Sequence, residues 1–129
     1  MKQIFYTLFV VGFFSSSVFA MGPTKEYETC MKQAGNVLGE IDACMSKEYK
    51  VQKKRLKKVF KNHLAKTPAD QQSLVKQSYQ QWLAQRDQVC NKKPIVKNDK
   101  TELQRISCLM QTTQSRADMY EAGTGRTSK

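Results

Sequence analysis

The run KEYKVQKKRLKKVFK, residues 47–61, holds eight cations and one acid. On a helix advancing about 100° per residue, with Met45 as the zero, Tyr49, Gln52, Leu56, Val59 and Phe60 fall within about 60° of one direction. Lys47, Lys50, Lys54, Lys57, Lys58 and Lys61 occupy the opposite side. A two-residue period would scatter both sets over both faces. The segment therefore predicts an amphipathic helix with a lysine ridge turned to water, and its period sets the fold class.

The same period recurs on either side, and strand-like alternation is absent. Upstream, Pro23-Thr24 opens a short first helix, with the Thr24 hydroxyl as its cap, Tyr27 and Cys30 along it and Gly35 as its stop. Asn36 is the expected cap of the second helix, which runs to about Ala65. Thr67-Pro68-Ala69-Asp70 reads as a fresh start, with threonine at the cap, proline at the first helical position and an acid in the first turn. That third helix carries Leu74, Val75, Tyr79, Trp82, Leu83 and Val89. Residues 91–98, with Pro94 inside, read as a loop. Asp99 and Glu102 then suggest a capping box for a fourth helix presenting Leu103, Ile106, Leu109, Met110 and Tyr120. The expected fold is all-α, a small disulfide-stapled bundle of about four helices.

The ends differ from this body. One cation at Lys2, an apolar run over residues 4–14 and Val18-Phe19-Ala20 before Met21 have the order of a signal peptide cleaved after Ala20. The apolar run is shorter than the roughly 20 residues that span a bilayer. Residues 1–20 are thus expected to be a signal peptide, 21–122 one helical domain, and the glycine-bearing polar residues 123–129 a disordered tail. The expected location is periplasmic or secreted. An oxidising compartment favours two disulfides among Cys30, Cys44, Cys90 and Cys108. Three pairings exist on paper; the two that close short loops, Cys30 with Cys44 and Cys90 with Cys108, are expected.

The formal charge is +11, which becomes +10 once Lys2 leaves with the leader. It is unevenly spread: residues 21–46 set Lys25 and Lys32 against Glu26, Glu28, Glu40 and Asp42, a local −2, so the remainder carries +12. Such a field favours anionic partners over roughly the 8 Å Debye length of physiological salt. The lysine ridge reads first as a solvated face, and otherwise as a footprint for an anionic envelope polymer or lipid surface. Nucleic-acid recognition would want aromatics exposed among the cations, whereas Tyr49 and Phe60 point inward.

The residues point away from catalysis. His63 is the only histidine, and on its helix it faces the core side. Every cysteine has a structural use, the gaps between them do not match a zinc site, and no glycine-rich phosphate loop is present. No cofactor or metal is expected.

WLAQRDQVC, residues 82–90, places Trp82, Arg86 and Cys90 one helical turn apart. Its residues read as structural. Trp82 is the largest candidate core anchor, Arg86 can lie over the indole or reach a neighbouring helix, and Asp87 is offered to Arg116 on the fourth helix.

Glu40-Ile41-x-x-Cys44, Leu56-x-x-x-Phe60, Trp82-x-x-x-Arg86-Asp87-x-x-Cys90 and Cys108-Leu109 with Thr113 and Arg116 follow one another in an order and spacing that resembles the lysozyme inhibitor LprI-like N-terminal domain family. The resemblance spans about residues 27–120. Its most specific part is W-x3-R-D-x2-C followed by the fourth cysteine with its threonine and arginine. It implies an exported, helical, disulfide-bonded domain; one named member is associated with inhibition of lysozyme, and most members have no established activity. A lysozyme or another envelope protein thereby becomes the expected partner. The chain departs from the family at Lys53 and Lys57, where an acid and an asparagine are usual, and at Phe60, where tyrosine is common. These changes make the second helix more cationic. Many lysozymes are themselves basic, so Glu26, Glu28, Glu40 and Asp42 stand as a possible acidic contact patch.

Overall fold

The computed structural model describes residues 22–123. The expected signal peptide and the tail beyond Gly123 lie outside those residues. Four helices follow in order: α1 Lys25–Ala34, α2 Leu38–Ala65, α3 Gln72–Cys90 and α4 Asp99–Gly123. Gly123, expected in the tail, closes the last turn of α4. Both disulfides take the short-loop pairing, Cys30 with Cys44 and Cys90 with Cys108.

α2 and α4 are the main packed pair; α1 lies along α2, and α3 chiefly against α4. The core cluster is Leu56 and Val59 of α2, Tyr79 of α3, and Ala117 and Tyr120 of α4, with Phe60, Trp82 and Leu83 packed against it. Phe60 stacks on Tyr79 with centroids 3.8 Å apart, and Tyr120 meets Phe60 edge-on at 5.4 Å. Such contacts favour one arrangement of three helices beyond what burial alone supplies. His63 borders the cluster, its ring 5.0 Å from that of Tyr120.

The buried stripe of α2 is Cys44, Glu48, Gln52, Leu56 and Val59. It is rotated from the one expected, since Met45, Tyr49 and Phe60 are half-buried and Glu48 lies inside. The reason is α1. Its cap residue Thr24 donates to Glu48 through both its backbone N–H, at 3.0 Å, and its hydroxyl, at 2.6 Å. Gln52 Nε2 adds a third bond to the same carboxylate at 2.7 Å. A buried carboxylate with three donors is compensated, and α1 is thereby tied to α2 by a polar joint as well as by its disulfide.

Several helix ends differ from expectation. Thr24 does cap α1, accepting the Tyr27 N–H at 3.1 Å, and Gly35 stops it with φ at +54°. Asn36 does not cap α2; the N-cap is Val37 without a side-chain bond. The tight turn through Gly35 sends the Val37 N–H to the Ala34 carbonyl and leaves Asn36 exposed. Thr67 does not start α3 but finishes α2, its hydroxyl donating to the His63 carbonyl at 2.9 Å. The orphan carbonyls of a 28-residue helix claim the hydroxyl first, and α3 begins only at Gln72 after a turn over residues 68–71. At α4 the reciprocal pair is Asn98 with Thr101, bonded at 2.9 and 3.0 Å, rather than Asp99 with Glu102. Glu102 is held by Arg105 instead.

Candidate functional site

The WLAQRDQVC stretch lies in the C-terminal half of α3. Arg86 is buried there and donates Nη1 to the hydroxyl of Thr113 on α4 at 3.2 Å. Its Nε and Nη2 donate to Asp87 Oδ1 at 3.0 and 2.8 Å. The guanidinium sits 5.6 Å from the Trp82 ring and 5.8 Å from that of Tyr49. Arg116 lies on Trp82 at 5.1 Å and on Tyr120 at 5.2 Å. Rings and cations thus alternate, Tyr49, Arg86, Trp82, Arg116, Tyr120, across three helices. Each guanidinium presents its charge to a ring face, which suits a low-dielectric setting better than isolation would.

Two expectations about this stretch need correction. Trp82 is only half-buried, because the two guanidinium groups that flank it hold it at the margin of the cluster. Asp87 does not meet Arg116. Its side chain is 52% exposed and turned to Arg86, while Arg116 bonds the Tyr120 hydroxyl at 3.4 Å and leaves its Nε without a partner among the described residues.

On α2, Lys47, Lys50, Lys54, Lys57, Lys58 and Lys61 are all exposed. Two further cations of the same run behave differently. Lys53 Nζ lies 4.5 Å from the Tyr49 ring. Arg55 turns inward, bonding Asp118 Oδ1 at 2.6 Å and Glu121 Oε2. Sequence reading missed this bridge between α2 and α4; acids on the inner side of α4 were the available signal.

The four acids proposed as one patch fall into two settings. Glu26 borders a depression between α1 and α2 beside Lys47 and the Cys30–Cys44 disulfide. Asp42 faces another, with Asp99 and Glu102 of α4. Glu28 and Glu40 are exposed. Asp99 and Glu102 were outside the expected patch because they are distant in sequence. The Arg105 guanidinium bonded to Glu102 holds that carboxyl below the usual carboxylate range.

A third surface lies where α3 passes to α4. A groove of about 680 Å³ is lined by Val89, Lys93, Pro94, Lys97, Arg105 and the Cys90–Cys108 disulfide. The connecting residues 91–98 are all exposed, and Ile95 is fully so. Sequence reading placed this loop and assigned it no role.

Among the described residues, no group of three or more His, Cys, Asp or Glu is placed to hold a metal ion, and no helix is long and apolar enough to cross a membrane. The profile of the family described as lysozyme inhibitor LprI matches residues 30–119. The chain belongs to the LprI family. The matched span begins at the first disulfide cysteine and ends beside Tyr120, so it contains both disulfides and nearly all of the ring and cation ladder. No curated protein and no solved structure matches the chain. Family membership suggests an inhibitor-like role, and of the motif residues Arg86 and Thr113 lie in the interior.

Proposed function

We propose that the chain is an exported, non-enzymatic binding protein that inhibits a lysozyme. The observation that supports this is the match to the LprI family over the whole disulfide-bonded body. Export follows from residues 1–20 read as a leader cleaved after Ala20, which makes the mature protein periplasmic or secreted. Two disulfides in a domain of this size suit an oxidising compartment. The described surface offers binding groups, lysines, arginine and exposed apolar side chains, and the best-built polar cluster, around Arg86, is spent inside the fold.

The deciding experiment is a lysozyme activity assay with purified mature protein against several lysozyme classes, each at low and at physiological salt. Inhibition of at least one class, with a stoichiometric end point, is the expected result. Inhibition of none would contradict the proposal.

One observation favours a second reading. The six exposed lysines along one side of α2 form a ridge that would dock on an anionic envelope polymer or lipid surface without inhibiting anything. Salt-sensitive retention on wall material, lost in Lys54→Glu with Lys58→Glu and unaccompanied by inhibition, would select it.

A further inference from the structure

The connection between α3 and α4 is built unlike the rest of the surface. Three lysines, Lys92, Lys93 and Lys97, flank Pro94-Ile95-Val96. Ile95 is wholly in solvent, and Val96 and Val89 are 61% and 63% exposed. Loops ordinarily place glycine, asparagine, aspartate and serine at such positions. Neighbouring β-branched side chains held in water mark a contact surface.

Both ends of the loop are anchored. Cys90 is bonded to Cys108 of α4, the Asn91 N–H donates to the Asp87 carbonyl at 2.9 Å, and Arg105 Nη1 donates to Asn91 Oδ1 at 3.2 Å. At the other end Asn98 and Thr101 exchange their two bonds. Between these anchors, no described residue hydrogen-bonds to residues 92–97, and the groove separates them from the helices behind. The result is an exposed cationic and apolar loop beside the first turns of α4.

We infer that residues 92–97 are the inhibitory element: they enter the substrate cleft of a lysozyme, where the lysines pair with the catalytic carboxylates and Ile95 and Val96 cover the apolar wall. This rests on the lysozyme-inhibiting reading above and gives that reading its contact surface. Glycoside hydrolysis requires a pair of carboxylates flanking the scissile bond, about 5 to 10 Å apart according to stereochemical outcome. They sit in a cleft wide enough for a sugar chain. A short loop such as residues 92–97, which bends at Ile95 and Val96, enters such a cleft more readily than the α2 ridge, on a helix about 10 to 12 Å across with its side chains. Charge agrees. A basic lysozyme repels this domain at long range, but its cleft is the place on its surface where chemistry obliges acids to be, and there the three lysines gain. Pro94 and the Cys90–Cys108 staple restrict the free loop, so less freedom is lost on binding. An anionic membrane is the competing partner for a basic loop with an apolar tip. Two adjacent apolar side chains, with no apolar helix face behind them, give a shallow anchor compared with the amphipathic helices that hold proteins at membranes.

The test uses the mature protein and a lysozyme that it inhibits. Inhibition should be competitive, raising KM and leaving kcat unchanged, and a chito-oligosaccharide occupying the cleft should block binding. Ile95→Asp, and separately Lys92→Glu with Lys93→Glu and Lys97→Glu, should each raise the inhibition constant at least tenfold with helical circular dichroism unchanged. Lys54→Glu with Lys58→Glu should move it less than threefold. Loop variants that inhibit like the parent, or binding indifferent to the oligosaccharide, would overturn the loop assignment while leaving lysozyme inhibition standing. Failure of the parent against every lysozyme class would overturn both. Loop-dependent retention on vesicles of anionic phospholipid, with no loop effect on inhibition, would assign residues 92–97 to a membrane and overturn the proposal.

Discussion

Arg86 carries its charge in a buried setting and meets three demands at once, a carboxylate on its own helix, a hydroxyl on α4 and the faces of two rings. Removing it withdraws the donor from Thr113, which is fully buried, and leaves a void beside Trp82. Arg86→Ala is expected to cost about 3 kcal/mol, the usual range for breaking a buried charged network. Asp87→Ala should cost about 1 kcal/mol, because a half-exposed carboxylate leaves its partner access to water. Chemical denaturation of the two variants checks the order, and equal losses would contradict it. Glu48 carries comparable weight. Glu48→Ala leaves the Thr24 N–H and Gln52 without their acceptor and should cost about 2 kcal/mol, with faster amide exchange concentrated in α1; uniform acceleration over all helices would be the contrary result. Tyr79 is pushed above its ordinary pKa by burial, then by Tyr120, with Arg86 and Arg116 pulling the other way. A raised folded pKa means that the folded protein holds the phenolic proton more tightly than the unfolded chain. The stability this contributes is complete below the unfolded value of 10.0 and is lost as pH rises through the folded one. Melting temperature should therefore fall more steeply above pH 10 in the parent than in Tyr79→Phe, as thermal scans at successive alkaline pH values would register.

At the scale of elements, the helices were legible because their apolar positions repeat with one period over many turns. The disulfide pairing was legible because short loops close cheaply. Helix ends were not. Thr67 looks like an N-cap in sequence, but it directly follows the end of α2, where the orphan His63 carbonyl takes its hydroxyl. Glu48 is the one acid of the 47–61 run, and its buried role follows only once α1 is folded against it. Arg55, one of the eight cations of the same run, becomes a bridge to α4 that its own helix does not announce, because its acids lie 63 and 66 residues downstream. In each case the missing information is a contact between elements, which periodicity along one element cannot carry. The same limit hid the candidate contact loop: exposure of Ile95 is a property of what fails to pack over it. The staple at the base of that loop can be tested directly. Its closed loop of 18 residues predicts about 3 kcal/mol from chain entropy. Cys90→Ser with Cys108→Ser should lower stability by about that amount; a loss under about 1 kcal/mol would mean that α3 and α4 are held by packing alone.

Over the whole molecule, the division of labour follows charge and burial. The core cluster, the ring and cation ladder and both disulfides lie within the helical body. Two cationic surfaces lie on its outside, a broad ridge on α2 and an exposed loop between α3 and α4. They differ in what they can meet. The ridge matches an extended anionic polymer, gains from long-range attraction and loses to salt. The loop matches a cleft that holds carboxylates and gains only at contact. Under the proposed inhibition, a lysozyme that is basic overall would be met by the loop and not by the ridge. Hydrogen exchange at short labelling times, comparing the free mature protein with its complex with an inhibited lysozyme, tests this most directly. Slowed exchange at residues 91–98, with residues 47–61 unchanged, is the predicted result; protection of residues 47–61 with an unchanged loop would contradict it.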